Sequence, residues 1–261
     1  METSYKVVRV RAEHIPGVLD VLRQSFFPDE KVCSCLRILQ DSEEVPTNSK
    51  YKVTKASREL ENLALECIKD GVSICAVDTS SNEVLGVNIN KIQVKPKPGE
   101  LSFFEEFTKE RVKEDRIVAF MDFMVNVDSR YDLFGTHGDC YFEIAYLSVK
   151  STANGKGIGT TLVTKSAELA QKIKSANETK NSQIDLHSDA PEYKDSPALK
   201  TVPKLVSAIF TSRFSQKCGA RSGFAEILKI PYTEFSYEGR KYSETTGPDH
   251  PFCTLSVKML V

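Results

Sequence analysis

Charge imbalance is nearly absent from this chain. Thirty-five basic residues stand against 36 acidic ones, for a formal net charge of −1. That balance gives nucleic acid or an anionic membrane surface no electrostatic reason to bind. No apolar run approaches the length of a transmembrane helix. The opening stretch METSYKVVRVRAEHI has no apolar signal core and leads into a strand pattern, so no secretory leader is expected. Histidine is scarce, and His137, His187 and His250 are scattered. The seven cysteines are odd in number and lack framework spacing. Cys33 and Cys35 form a C-x-C pair with no second Cys/His pair nearby, so no metal site is expected. Reduced thiols in a cytoplasmic protein are the expectation. What is present is ordinary globular material: 261 residues, 40% hydrophobic and 27% charged, enough for a substantial core. No linker divides the chain, and residues 1–261 read as a single domain.

The most informative stretch is YFEIAYLSVKSTANGKGIGTTL, residues 141–162. It begins as an apolar strand over 141–149. It becomes a glycine-rich turn over 154–159. It then takes up a helical pattern through Leu162, Val163, Ala167, Leu169 and Ala170. A strand feeding a glycine-rich turn that opens a helix suits a phosphate-bearing ligand. The glycines let backbone N–H groups converge, and the helix N-terminus adds partial positive charge. The spacing excludes two common loops. Lys156 is followed by Gly157 rather than Ser or Thr, against a Walker loop. A G-x-G-x-x-G fingerprint would need its third glycine at Thr160 or Leu162.

The rest of the chain supplies the frame. Residues 5–10 alternate as a strand, and 12–27 carry a helical apolar stripe ending at Phe26-Phe27-Pro28-Asp29-Glu30. Pro28 predicts that Phe27 leaves helical geometry and that Asp29 and Glu30 sit on a turn. A further helical turn is expected within 32–39, a polar loop over 41–48, and a second helix over 54–70 closed by Gly71. Residues 72–77 and 83–93 read as a hairpin. Residues 101–134 read as two helices or one kinked one, and 134–139 as a turn. The span 175–204 is polar and contains Pro191, Pro197 and Pro203, which predicts a long surface loop. A strand at 205–210, a helix at 211–222, an edge or bulged strand at 225–235 carrying Pro231, a turn at Glu238-Gly239 and a last strand at 252–260 complete the series.

Four motifs carry a family resemblance. Leu147-Ser-Val149 followed by Asn154-Gly-Lys-Gly157-Ile-Gly159 resembles the acetyl-CoA motif of the GNAT N-acetyltransferase superfamily, with Asn154 where Gln or Arg is usual. Ser25-Phe-Phe-Pro-Asp-Glu30 resembles the F-F-x-D-E turn of the insect arylalkylamine N-acetyltransferases, the group that includes dopamine N-acetyltransferase. Thr211-Ser-Arg-Phe-Ser215, with Gly223-Phe224 after it, resembles their T-S-x-Y-S…G-F segment. Ile230-Pro-Tyr-x-Glu234 with Gly247-Pro-x-His250 and the end Val257-Lys-Met-Leu260 resembles their C-terminal hairpin. The resemblance covers nearly the whole chain. It implies an α/β (α+β) GNAT fold: a mixed, mostly antiparallel central sheet flanked by helices, with acetyl-CoA at the splay after the central strand. Two departures stand out. Lys31 follows the Asp-Glu pair where proline is usual, and Gly219 stands where many GNAT enzymes carry a tyrosine acid.

What the resemblance implies is acetyl transfer from acetyl-CoA to a small amine, without a metal, by a protein expected to be monomeric. Glu30 takes the role of general base. Leu147, Ser148, Val149, Asn154, Gly155, Lys156, Gly157, Ile158, Gly159, Thr160 and Ser215 hold the cofactor, with Lys150 and Lys156 as further phosphate attractants. Phe26, Phe27, Asp29 and Tyr146 line the amine pocket. Thr211 and Ser215 are four apart and share a face if that turn is helical, either relaying a proton or capping the helix. The alternatives are a polyamine or agmatine acetyltransferase drawing its dication with Asp41, Glu43 and Glu44, or a silent acyl-CoA-binding module, for which Lys31 and Gly219 speak. A protein-lysine acetyltransferase has no acidic groove in the sequence to support it.

Overall fold

The computed structural model of the protein describes residues 4–179 and 184–261. The chain opens with β1 (Tyr5–Arg9) and enters a helix, α1 (Ile15–Val21). That helix widens into a π turn over Leu22–Phe26 and ends in the short α2 (Phe27–Asp29). Phe27 is therefore helical, contrary to the expectation set by Pro28. The Phe27 N–H reaches back to the Leu22 carbonyl, and Pro28 stands in the first turn of α2, where no N–H is required of it. Glu30 leaves the helical region and begins α3 (Lys31–Cys35). Thr54 caps α4 (Lys55–Ile68) through a reciprocal pair with Ser57. Then come β2 (Ile74–Asp78), β3 (Val84–Val94), α5 (Phe103–Arg111), α6 (Asp115–Asp128) and α7 (Leu133–His137). The last of these is helical where a turn was expected, because Asp132 caps it on the Gly135 N–H.

The second half runs β4 (Cys140–Val149), α8 (Ile158–Glu178), β5 (Leu205–Phe210), α9 (Arg213–Arg221) and β6 (Ala225–Pro231). The small pair β7 (Ser236–Tyr237) and β8 (Arg240–Lys241), α10 (Tyr242–Thr246) and β9 (Phe252–Met259) close it. The seven-stranded sheet has the order β1-β2-β3-β4-β5-β9-β6. Every neighbour is antiparallel except β4 and β5. Pro231 stands at the end of β6, an edge strand with a bulge between Glu226 and Leu228, so it costs no central ladder bond. Helix α8 continues further than its predicted end. Of the polar span expected over 175–204, residues 180–183 lie outside the described residues. The later part is tied to β1 by buried Arg9, which donates to the Leu186 carbonyl at 2.6 Å and to the Gly71 carbonyl.

Two features position the site. Helix α8 is fixed to the sheet by a buried polar contact: Asn88 and Asn90 of β3 donate to Ser166 Oγ at 2.8 and 3.0 Å. Buried polar groups need such partners, so this contact sets both the height and the rotation of α8. The second feature is a bulge in β4. Ile144 faces Asn90 and Tyr146 faces Ile89, which leaves Ala145 as the extra residue and bends the strand.

A half-buried acid pair, Asp128 of α6 and Glu143 of β4, lies between sheet and helices. Burial, reinforced by the charge of Glu143, pushes the Asp128 carboxyl well up. Burial pushes Glu143 up to about 7, against a hydrogen bond from Gln93 at 2.6 Å and nearby Lys91. The folded state thus retains a proton that the unfolded chain releases near pH 4.3. Stability is complete below that value and declines as pH rises toward and through 7. Glu143→Gln should reduce this decline by on the order of 2 kcal/mol at pH 8, leaving the part that burial of Asp128 contributes. Urea midpoints of the two proteins between pH 5 and 8 check it. Parallel pH profiles would remove the pair from the account.

Candidate active site

Strands β4 and β5 pair only over Phe142–Val206, Glu143–Ser207 and Ile144–Ala208. Beyond these the bent β4 turns away, and its backbone from Ala145 to Val149 has no strand partner on the β5 side. A cleft of about 710 Å³ opens in the gap. It is bounded by β4, by the first turn of α8, by α9, and by the end of the first helix with Met124.

One end is made of backbone. Leu147, Ser148, Val149, Asn154, Gly155, Gly157, Ile158, Gly159 and Thr160 all line the cleft; Lys156 does not. Gly157 is the N-cap of α8 at φ 76°, and Gly155 has φ 80°. Left-handed backbone of this kind suits glycine and disfavours side chains. No side chain caps α8, so the N–H groups of its first turn are free for a ligand. Lys150 is buried and paired to Glu83 at 2.6 Å, so it is not a free phosphate attractant. The cations that do line this cleft are Lys31 and, one helical turn apart on α9, Lys217 and Arg221. Sequence reasoning missed Lys217 and Arg221; their four-residue spacing becomes informative only once α9 is placed.

The other end holds a carboxylate. Glu30 caps α3: its Oε2 accepts from the Cys33 N–H at 2.6 Å. Its Oε1 is shielded and has no protein partner. One oxygen therefore fixes the group while the other is free. Lys31 occupies the first helical position, where proline and lysine fit alike, so the missing proline leaves the cap intact. Burial, chiefly, raises Cys33, Tyr146 and Tyr232 and keeps them neutral around Glu30. Phe26, Asp29, Met124, Ala145 and Ile209 complete this wall. Phe27 and Tyr146 do not reach it. Phe27 is turned into the core by the π turn. Tyr146 packs behind Phe26, centroids 4.9 Å apart, with its hydroxyl donating to the Leu60 carbonyl.

Thr211 and Ser215 both line the cleft, but they do not share a helix. Thr211 precedes the cap of α9, and its carbonyl accepts from the buried Tyr232 hydroxyl at 2.7 Å. Ser212 is the cap. Ser215 is its reciprocal partner, donating to the Ser212 carbonyl at 3.0 Å. The Ser215 proton is thus engaged in capping. Gly219 is a packing glycine: a Cβ there would stand 2.2 Å from the Phe210 ring. No tyrosine fits that position, and the fold needs none there. Asp41, Glu43 and Glu44 lie outside the cleft wall. Asp41 pairs with Arg37 and Arg116, and Glu43 with Lys55. No group of three or more His, Cys, Asp or Glu among the described residues is placed to hold a metal ion. No helix among them is long and apolar enough to cross a membrane.

No protein-family model and no curated protein sequence matches this chain. Solved structures do. Arylalkylamine N-acetyltransferase 2 from Aedes aegypti superposes with a TM-score of 0.70 at 22% identity, over 98% of this chain and 99% of that one. Mosquito arylalkylamine N-acetyltransferase like 5b gives 0.68 at 18%, over 98% and 100%. The polyamine N-acetyltransferase of Drosophila melanogaster, which forms N-acetylagmatine, gives 0.65 at 13%, over 98% and 100%. The chain has the GNAT fold, in the form shared with insect arylalkylamine N-acetyltransferases.

Proposed function

We propose that this chain transfers the acetyl group of acetyl-CoA to the primary amine of a small arylalkylamine, with Glu30 taking the ammonium proton. The observation that carries the reading is the shielded, unpartnered Glu30 Oε1, which shares a cleft with the uncapped glycine-rich start of α8. The residues at the α8 end fit a pyrophosphate: free N–H groups, positive-φ glycines and the cations Lys217 and Arg221 nearby. Acetyl-CoA, when bound, supplies an electrophilic carbonyl carbon and a thiolate leaving group.

The protein's part is mostly placement. The edge of β4 facing the gap leaves alternate N–H groups between Ala145 and Val149 free, the others pairing with β3, and these can hold an acetylated arm and supply a donor for the thioester oxygen. Glu30 Oε1 accepts a proton from the incoming ammonium, which frees its lone pair. The new N–C bond forms as the C–S bond breaks. The nitrogen sheds its second proton as the amide forms, and the departing sulfur takes up one proton in exchange through solvent, since Gly219 supplies no acid. Holding the two partners in one gap accounts for much of the rate, through effective molarities of about 10⁵ M or more.

Phe26, Met124, Ala145 and Ile209 give the amine end an apolar wall, which favours an aryl or alkyl body over a polycation. One observation favours the second reading, a polyamine or agmatine substrate. The polyamine N-acetyltransferase of Drosophila melanogaster, which forms N-acetylagmatine, superposes over nearly the whole of this chain. A thiol-release assay with acetyl-CoA separates the readings. Tyramine- and tryptamine-like amines should show much higher kcat/KM than spermidine or agmatine. The reverse order, strengthening at low salt, would replace the arylalkylamine reading with the polyamine one. Donor binding without turnover of any amine would identify a silent acyl-CoA-binding module.

A further inference from the structure

A second polar atom in the cleft wall has no partner. Ser25 is 4% exposed, lines the cleft, and its Oγ makes no hydrogen bond within the protein. Leaving a buried hydroxyl unpaired costs free energy, and alanine of nearly the same shape would avoid the cost. Ser25 also lies inside the π turn of the first helix. Such turns insert one residue into a helix, weaken its ladder, and recur at functional sites. Here the turn brings two successive residues, Ser25 and Phe26, to the cleft wall, close in sequence to Glu30. The wall thus carries two shielded oxygens without protein partners, Ser25 Oγ and Glu30 Oε1. Both come from the first helix and the cap that follows it, elements distinct from the glycine-rich turn before α8.

We propose that Ser25 is a positioning residue for the acceptor amine, its Oγ accepting one N–H while Glu30 Oε1 takes the proton that must leave. A primary amine suits two such acceptors. After losing one proton it still has N–H groups to donate, and its lone pair stays free to attack. This inference rests on the acetyl-transfer reading above and deepens it. An unpaired hydroxyl that weakens the fold, kept in a cleft, is the pattern of stability given up for function.

The test compares wild type, Ser25→Ala, Ser25→Cys and the double variant Ser25→Ala/Glu30→Gln. Tyramine is the acceptor and acetyl-CoA the donor. Ser25→Ala should melt at the wild-type temperature or above. It should raise the amine KM and lower kcat/KM by about tenfold, the scale of one lost hydrogen bond. Its acetyl-CoA Kd should not move. Cysteine, a weak acceptor of similar size, should fall between the two. The loss in the double variant should be smaller than the product of the two single losses, as expected when both groups hold one nitrogen. Wild-type kcat/KM in Ser25→Ala overturns the proposal, as does an activity loss matched by a lower melting temperature. If wild type itself turns over no amine, the acetyl-transfer reading fails first and Ser25 falls with it.

Discussion

Glu30→Gln should lower kcat for amine acetylation by roughly 10²-fold or more, the usual scale for a positioned base. Glutamine is the informative replacement because Glu30 has two tasks in the structure. Its Oε2 caps α3 on the Cys33 N–H, and a glutamine carbonyl can still accept that bond. Its Oε1 is the free oxygen, and an amide there cannot take a proton. The fold and the acetyl-CoA Kd should therefore be preserved while the chemical step slows. Glu30→Ala also loses the cap, at about 1 kcal/mol of stability, and should be as slow but less stable. Steady-state kinetics with melting curves on the three proteins checks both statements. Wild-type rates in Glu30→Gln would reduce Glu30 to a capping residue, and the exposed Asp29 beside it would be the next group to examine.

Gly157→Val should weaken acetyl-CoA binding by roughly 10- to 100-fold, that is about 1.4–2.8 kcal/mol. Gly157 sits at φ 76°, where a β-branched residue is strongly disfavoured. The valine chain must shift, and the N–H groups it aims into the cleft shift with it. Nothing lies within 4 Å of a Cβ at this position, so the loss is not a packing clash and the protein should stay folded. Gly159 is a poorer choice, because its Cβ would approach Cys218 Sγ at 3.2 Å and disturb the contact between α8 and α9. Calorimetry on a folded Gly157→Val protein reads the effect. At saturating acetyl-CoA, kcat should be largely restored. Undiminished affinity would dissociate the glycine-rich turn from the donor.

The parts of this fold that were legible in the sequence rest on local rules. The strand, glycine turn and helix over 141–162 follow from periodicity and glycine placement, and they reappear as β4, the turn and α8. The edge position of β6 follows from Pro231. The first helix was less legible. Its π turn absorbs Pro28, keeps Phe27 helical and sends it to the core, and brings Ser25 to the cleft. A stripe read at 3.6 residues per turn has no place for an inserted residue. The roles of charged and hydroxyl side chains were legible only as types. Lys150 is neutralised by Glu83, which is distant in sequence. Ser215 is engaged by Ser212, and Gly219 answers to the ring of Phe210. Each of these depends on a partner that only the fold supplies.

The central claim is that donor and acceptor meet in one cleft between the start of α8 and Glu30. A conjugate of tryptamine joined through an acetyl linker to CoA occupies both halves at once. Calorimetry of this conjugate against wild type is the most direct test. The account predicts a Kd at least about 10²-fold below that of acetyl-CoA alone, since such conjugates approach transition-state geometry. It also predicts that Gly157→Val weakens the conjugate and acetyl-CoA alike. A conjugate that binds no more tightly than acetyl-CoA would contradict the claim, because the tryptamine half would then have no place beside Glu30.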